Sequence, residues 1–180
     1  EGTAWVSRPS ASAGIIDTEA NELTNDNGQH LYIVATDGAD IPRFIKVLFK
    51  KLVLAGYGYP FITKSGNVLI RTIIDGAVGS PERIDYAAPA VLGKDLSRKK
   101  LHTHSSPGGM LDTATLLSLT SEEKAKLASI KNEIKSSVAN EAAQIKEAYL
   151  TNRASETGQT IEQVKEQNDF ADSGNLNNDH

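Results

Sequence analysis

Residues 29–56, QHLYIVATDGADIPRFIKVLFKKLVLAG, set the fold class, because they change from a strand pattern to a helix pattern within a few residues. Leu31, Ile33 and Ala35 alternate with Tyr32, Val34 and Thr36 in a β-branched and aromatic run. Such a run predicts a strand covered on both faces and placed centrally in a sheet, with His30 at its entrance. Asp40, Ile41 and Pro42 then read as a helix start, a carboxylate cap followed by a proline in the first turn, where its missing N–H is not needed. Gly56 reads as the stop. Between them Phe44, Val47, Leu48, Leu52 and Ala55 fall at helical spacing, while Arg43, Lys46, Lys50 and Lys51 lie on other faces. The helix is therefore expected to pack one side on the sheet and turn a basic side outward.

Downstream, YGYPFITKSGNVLIRTIID (57–75) predicts two short strands, Phe61 to Thr63 and Val68 to Ile74, joined by a KSGN turn in which Gly66 takes positive φ. Asp75 ends the second strand. GAVGSPERIDYAAPAVLG (76–93) is rich in turn residues, with one further strand expected over Ile84 to Ala87. Upstream, Trp5 and Val6 lead into SRPSASAG (7–14), a strand with an irregular, small-residue edge, and DTEANELTNDNG (17–28) is a polar connection.

The fold expected is α+β: a small, mostly antiparallel sheet with one packed helix, followed by a helical extension. Residues 1–100 form the sheet-bearing part, and 101–119 a Gly/Ser/Pro-bearing linker. The helical extension covers 120–168, and an Asn/Asp/Gly/Ser tail expected to be disordered covers 169–180. Thr120 with Glu123 is a capping-box signature. The stripe Leu127, Ile130, Ile134, Val138, Ile145 and Tyr149 then suits one long helix or two, and Thr160 with Gln163 repeats the signal for a short last helix.

The chain has no Cys, which excludes a disulfide framework, thiolate catalysis and a Cys-based zinc site. It has no uninterrupted apolar run of membrane-spanning length, and EGTAWVSRPS has neither a basic nor an apolar leader region, so a cytoplasmic protein without membrane contact is expected. Because the first residue is Glu1, the chain is expected to be a piece of something longer. The net charge of −4 is uneven: residues 41–104 hold eleven Lys/Arg against four carboxylates, whereas 1–40 hold one against seven and 105–180 seven against twelve. A basic middle of this kind suits a phosphate-bearing ligand, although Lys46, Lys50 and Lys51 equally suit a solvated helix face.

His30 and Asp75 stand at ends of expected strands, where side chains of a sheet converge on a cleft. Arg71 and Arg83 flank Asp75, with Lys64 and Ser65 shortly before. Cations near a carboxylate and a His suit a triphosphate, because Arg holds phosphate oxygens bidentately, and they equally suit a surface ion-pair network. His102 and His104 read as exposed loop residues. No Walker loop, dinucleotide fingerprint, Ser-centred elbow or HExxH is present, which leaves metal-dependent phosphoryl chemistry on carboxylates as the natural enzymatic reading.

Taken together, SRPSASAGI (7–15), GQHLYIVATDG (28–38), RTIID (71–75) and SPERIDYAAPAVLG (80–93) resemble the archaeo-eukaryotic primase superfamily, in the primase-polymerase branch of plasmid and prophage replication proteins. The resemblance covers roughly residues 5–95 and rests on the order and spacing of short motifs. It implies a palm-like, RRM-like domain in which His30 is the second motif's histidine, Ser10 and Ser12 its small polar residues, and Asp75 the third motif's metal-holding carboxylate. Arg83 is then the arginine ahead of a proline. It further implies Mg2+ or Mn2+ as cofactor, and nucleoside triphosphates contacted by His30, Lys64, Arg71 and Arg83. A single-stranded DNA template would be held by Arg43, Lys46, Lys50, Lys51, Lys94, Arg98, Lys99 and Lys100, and a replicative helicase is an expected partner. The family's first motif, two carboxylates around one residue, does not precede Ser10. The chain is thus expected to be an inactive fragment of the enzyme, with the pair encoded ahead of Glu1, or a relative that binds nucleic acid without catalysis. A third expectation is a replication-complex adaptor that docks a partner through the helix from about residue 121.

Overall fold

The computed structural model describes residues 2–26, 28–80, 85, 88 and 90–167. The chain is α+β and divides into two units, Glu1–Leu48 with Gly76–Ser118 and Phe49–Asp75 with Leu119–His180. The division cuts across the expected 1–100 block.

In the first unit β1 (Trp5–Pro9) is the centre of a three-stranded antiparallel sheet, between β3 (Gln29–Ile33) and β7 (His104–Ser106). Val6 stands opposite Tyr32 and Arg8 opposite His30. A second pair joins β2 (Ile15–Asp17) to β6 (Leu96–Arg98). The strand expected to be central and covered on both faces is thus an edge. Leu31 is 58% exposed and Val34 62%. The β-branched, aromatic composition of 31–34 reports strand propensity, which any pleated, half-covered surface satisfies, and not burial. The segment read as a linker also differs: β7 lies in it, and beyond β7 the Leu111 N–H donates to Val34 O at 2.8 Å while Thr36 N–H donates to Leu111 O at 2.9 Å.

The α-helix after β3 starts at Ile41, as expected, and a 3-10 turn precedes it. Asp37, not Asp40, caps a 3-10 turn over Gly38–Asp40, its carboxylate accepting from Ala39 N–H, and α1 follows over Ile41–Leu52. The helix continues as a wider turn, Val53–Tyr57, and Gly56 ends it at φ +88°. Asp40 serves a different purpose. Its carboxylate accepts from Arg43 Nε at 2.5 Å and Nη2 at 2.7 Å, and from the Thr113 hydroxyl at 2.6 Å. Arg43 passes the link on to the carbonyls of Thr113 and Leu116. Hydrogen bonds from Arg43 and then Thr113 hold the Asp40 carboxyl down at about 2. A depressed carboxyl contributes stability above its ordinary value that vanishes on protonation. That contribution is therefore complete above 3.8 and lost as the pH falls through about 2. Asp40→Asn is expected to lower the unfolding midpoint at neutral pH and to flatten the acid limb of the curve over that window. Denaturant melts across pH would show it, and an unchanged acid limb would sink the assignment.

In the second unit β4 (Tyr59–Ile62) and β5 (Val68–Arg71) form an antiparallel hairpin, with Tyr59 opposite Arg71 and Phe61 opposite Leu69. The turn is tied by Thr63 N–H to Asn67 O and by Gly66 N–H to Thr63 O, and Gly66 has φ +80° as the KSGN sequence predicts. Pro60, Ile62, Val68 and Ile70 are half-buried, and α2 (Ser121–Ser137) packs on both strands and on the Val53–Tyr57 turn. The Thr120–Glu123 capping box is formed in both directions. The long helical stretch is two helices: it breaks at Val138, where φ is −120° and ψ 11°, and resumes as α3 (Ala139–Thr157). A last helix, α4, covers 161–167, with Thr160 and Gln163 bonded as its cap. Val53, Leu119, Leu127, Ala142, Leu150 and Val164 are the buried apolar residues of this unit among those described, against Ala13 and Val47 in the first. Among the described residues no helix is long and apolar enough to cross a membrane.

Candidate functional site

Pairing of β1 with β3 sets Arg8 opposite His30, and strand parity puts Tyr32 on the same face. Arg8 Nε donates to the Tyr32 hydroxyl at 2.7 Å, and its guanidinium lies 5.5 Å from the Tyr32 ring centroid. Asp85 completes the group: one carboxylate oxygen meets Arg8 Nη2 at 2.7 Å and His30 Nδ1 at 2.8 Å, while the other accepts from the Tyr32 hydroxyl. These contacts, Tyr32 first and then Arg8, hold the Asp85 carboxyl below its ordinary value. Fixing His30 through Nδ1 orients the ring and leaves Nε2 as the nitrogen for a ligand or proton. The His30 side chain is about one-third exposed, so a ligand can reach it.

The small-residue loop after β1 is held as firmly. Ser10 N–H donates to Gly28 O at 2.8 Å, which brings the two strand ends together. Ser10 thus packs against the residue two positions before His30. Arg98 fastens the loop from the other side, its guanidinium donating to the carbonyls of Ala13 and Ser10. Thr24 adds a hydroxyl to Ser12 O at 2.6 Å, and Ser12 itself is exposed. Hydrogen bonds to a charged donor contribute about 2 kcal/mol. Arg98→Ala is accordingly expected to destabilise the first unit by about that much and to speed hydrogen exchange across residues 10–14. Exchange unchanged there would refute the role.

Asp75, Arg71 and Lys64 belong to the second unit. Asp75 follows β5, and Arg71 Nη1 lies 4.0 Å from its carboxylate, with both side chains close to half exposed. Lys64, on the hairpin turn, lines a shallow cleft of about 350 Å3 with Tyr149, Asn152, Arg153 and Glu156 of α3. Arg83 and most of the strand expected over 84–87 lie outside the described residues, as does the 169–180 tail.

Of the cations expected on a template, Arg43 is engaged with Asp40, Lys51 with Glu123 at 2.7 Å, Lys99 with Glu22 and Asp26, and Arg98 with the loop carbonyls. Lys46, Lys94 and Lys100 are exposed, and Lys50 is half-buried. His104 sits on β7 opposite Ser7.

For the divalent ion the resemblance implies, the described residues are a poor fit. Among them no three His, Asp or Glu side chains gather to hold a metal, and the Asp75 carboxylate faces a guanidinium. Comparison of the chain with protein-family models, with curated proteins and with solved structures finds no match in any of the three.

Sequence reasoning picked out His30 and the loop serines and missed Arg8, Tyr32 and Asp85. The parity of His30 and Tyr32 along one strand was the available signal. Asp85, 53 residues along from Tyr32, gave none.

Proposed function

We propose that this chain is the nucleotide-binding part of a DNA primase-polymerase, an enzyme of template-directed nucleotidyl transfer belonging to a plasmid- or prophage-type replication protein. The observation that carries the reading is the meeting of the SASAG loop with the GQH strand. Ser10 stands against Gly28, and His30 is oriented by Asp85 beside Arg8. An Arg and an oriented, accessible imidazole on one face are suited to the oxygens of a triphosphate, to which charge-assisted hydrogen bonds are short and strong. By resemblance, Lys64, Arg71 and Arg83 are further nucleotide contacts.

The described residues do not make a carboxylate set for Mg2+ or Mn2+. The reading therefore has this chain binding nucleotide and single-stranded DNA, with transfer requiring carboxylates that the described residues do not supply. A cytoplasmic location and a replicative helicase as partner follow from the same reading. The pairing of Asp75 with Arg71 favours, as second reading, a nucleic-acid-binding relative without catalysis.

The test is template-directed incorporation by the uninterrupted gene product with Mg2+ or Mn2+, beside His30→Ala and Asp75→Ala. Loss in both variants, each still folded, supports the enzyme. An inactive intact product, or activity indifferent to Asp75, leaves the binding module.

A further inference from the structure

The hairpin of the second unit has two unlike faces. Inward positions Pro60, Ile62, Val68 and Ile70 are half-buried, while the outward positions are Tyr59, Phe61, Leu69 and Arg71. Tyr59 is 50% exposed and Phe61 49%, and Tyr57, just before β4, and Ile73, just after β5, are exposed as well. Arg71 lies with its guanidinium 5.7 Å from the Phe61 ring centroid. Along the hairpin itself, residues 57–75, the charges are Lys64 and Arg71 against Asp75, one positive charge in excess in a chain whose net charge is −4.

Two aromatic rings with a guanidinium over one of them, side by side on one strand face that carries a small positive excess, make a surface on which nucleobases can stack. Every base has a π-face, and a strand of nucleic acid brings the negative charge that this face lacks. We propose that the outer face of the β4–β5 hairpin is a stacking platform for single-stranded DNA, with bases on Tyr59 and Phe61 and the backbone drawn along by Arg71 and Lys64. It rests on the reading of the chain as a template-using protein and adds where the template bases lie. Because stacking ignores base identity, the platform holds DNA without reading its sequence.

The experiment is fluorescence anisotropy of labelled oligo(dT), oligo(dA) and a duplex with the full chain, in EDTA and without nucleotide. A chain that cannot polymerise then still reports binding, and failure of the enzyme reading stays distinct from failure of this one. Tyr59→Ala and Phe61→Ala are each expected to weaken single-strand binding by about tenfold, on both oligonucleotides alike, while Phe61→Tyr and Tyr59→Phe keep it. The side chains point outward, so thermal melts of the variants should match the parent. Single-strand binding unaffected by the double alanine variant overturns the platform. So does a chain that binds no single strand, or one that self-associates through these rings while binding DNA equally well without them.

Discussion

Under the proposed reading, alanine in place of His30 is expected to lower template-directed incorporation by the uninterrupted gene product between about 10- and 160-fold, since a hydrogen bond to a charged partner contributes about 1.5–3 kcal/mol. The melting temperature should scarcely move. The His30 side chain is about one-third exposed, and Asp85 keeps Arg8 and Tyr32 as donors when the imidazole is gone. Asp85→Asn tests the same geometry from behind. The ring remains, but the carboxylate that orients it through Nδ1 is replaced by an amide, so the loss should be smaller than in His30→Ala. Asp75→Ala is expected to cost at least as much as His30→Ala. Full activity in a folded His30→Ala variant would remove the imidazole from the mechanism. Equal stability and equal activity in Asp85→Asn would show that the carboxylate does not position it.

What the residues disclose unaided depends on how local the responsible physics is. The Thr120–Glu123 and Thr160–Gln163 caps are fixed by hydrogen bonds three residues apart, and both form as read. The KSGN turn needs one residue of positive φ, and Gly66 is the residue that takes it without strain. By contrast β6 and β7 are three residues long. A strand that short has no period to detect, and its sequence, set among Gly, Ser and Pro, reads as a connection. The exposure of Leu31 and Val34 depends on what covers a sheet, which no alternation pattern states. Asp40 reads as a cap because Ile41 and Pro42 follow it, but its carboxylate is engaged by Arg43 and by the hydroxyl of Thr113, far along the chain.

The candidate site follows the same rule. His30 and Tyr32 are related by strand parity and Ser10 by the loop that precedes the return strand, so part of the cluster is written in short-range pattern. Arg8 is reached only by knowing the β1–β3 register. Asp85 falls inside the strand expected over 84–87, and nothing in that pattern ties it to His30 or Tyr32. The cations teach a related lesson. A count of Lys and Arg along 41–104 overstates the free positive charge, because Arg43, Lys51, Arg98 and Lys99 have carboxylate or carbonyl partners within the fold.

Valine in place of Gly66 is expected to give the largest structural effect in the second unit. A Cβ there would lie 2.5 Å from Lys146 Cβ and 2.7 Å from both Lys146 Cα and Ala142 O. Those atoms belong to the body of α3, which cannot swing aside as the end of a side chain can. The residue also sits at φ +80°, and a side chain in that region costs about 1–2 kcal/mol. Overpacking adds roughly 1–3 kcal/mol, so the total destabilisation is about 2–5 kcal/mol, enough to detach the hairpin tip from the helix. Gly158 allows the two contributions to be separated. It has φ +66° but no atom within 4 Å of the Cβ position, so Gly158→Ala measures the backbone contribution by itself. Denaturant unfolding of Gly66→Ala, Gly66→Val and Gly158→Ala should rank Gly66→Val lowest in stability and Gly66→Ala clearly below Gly158→Ala. If the two alanine variants unfold at the same midpoint, the turn does not press on α3. The platform proposed for DNA would then lack the rigid backing that a stacking surface needs.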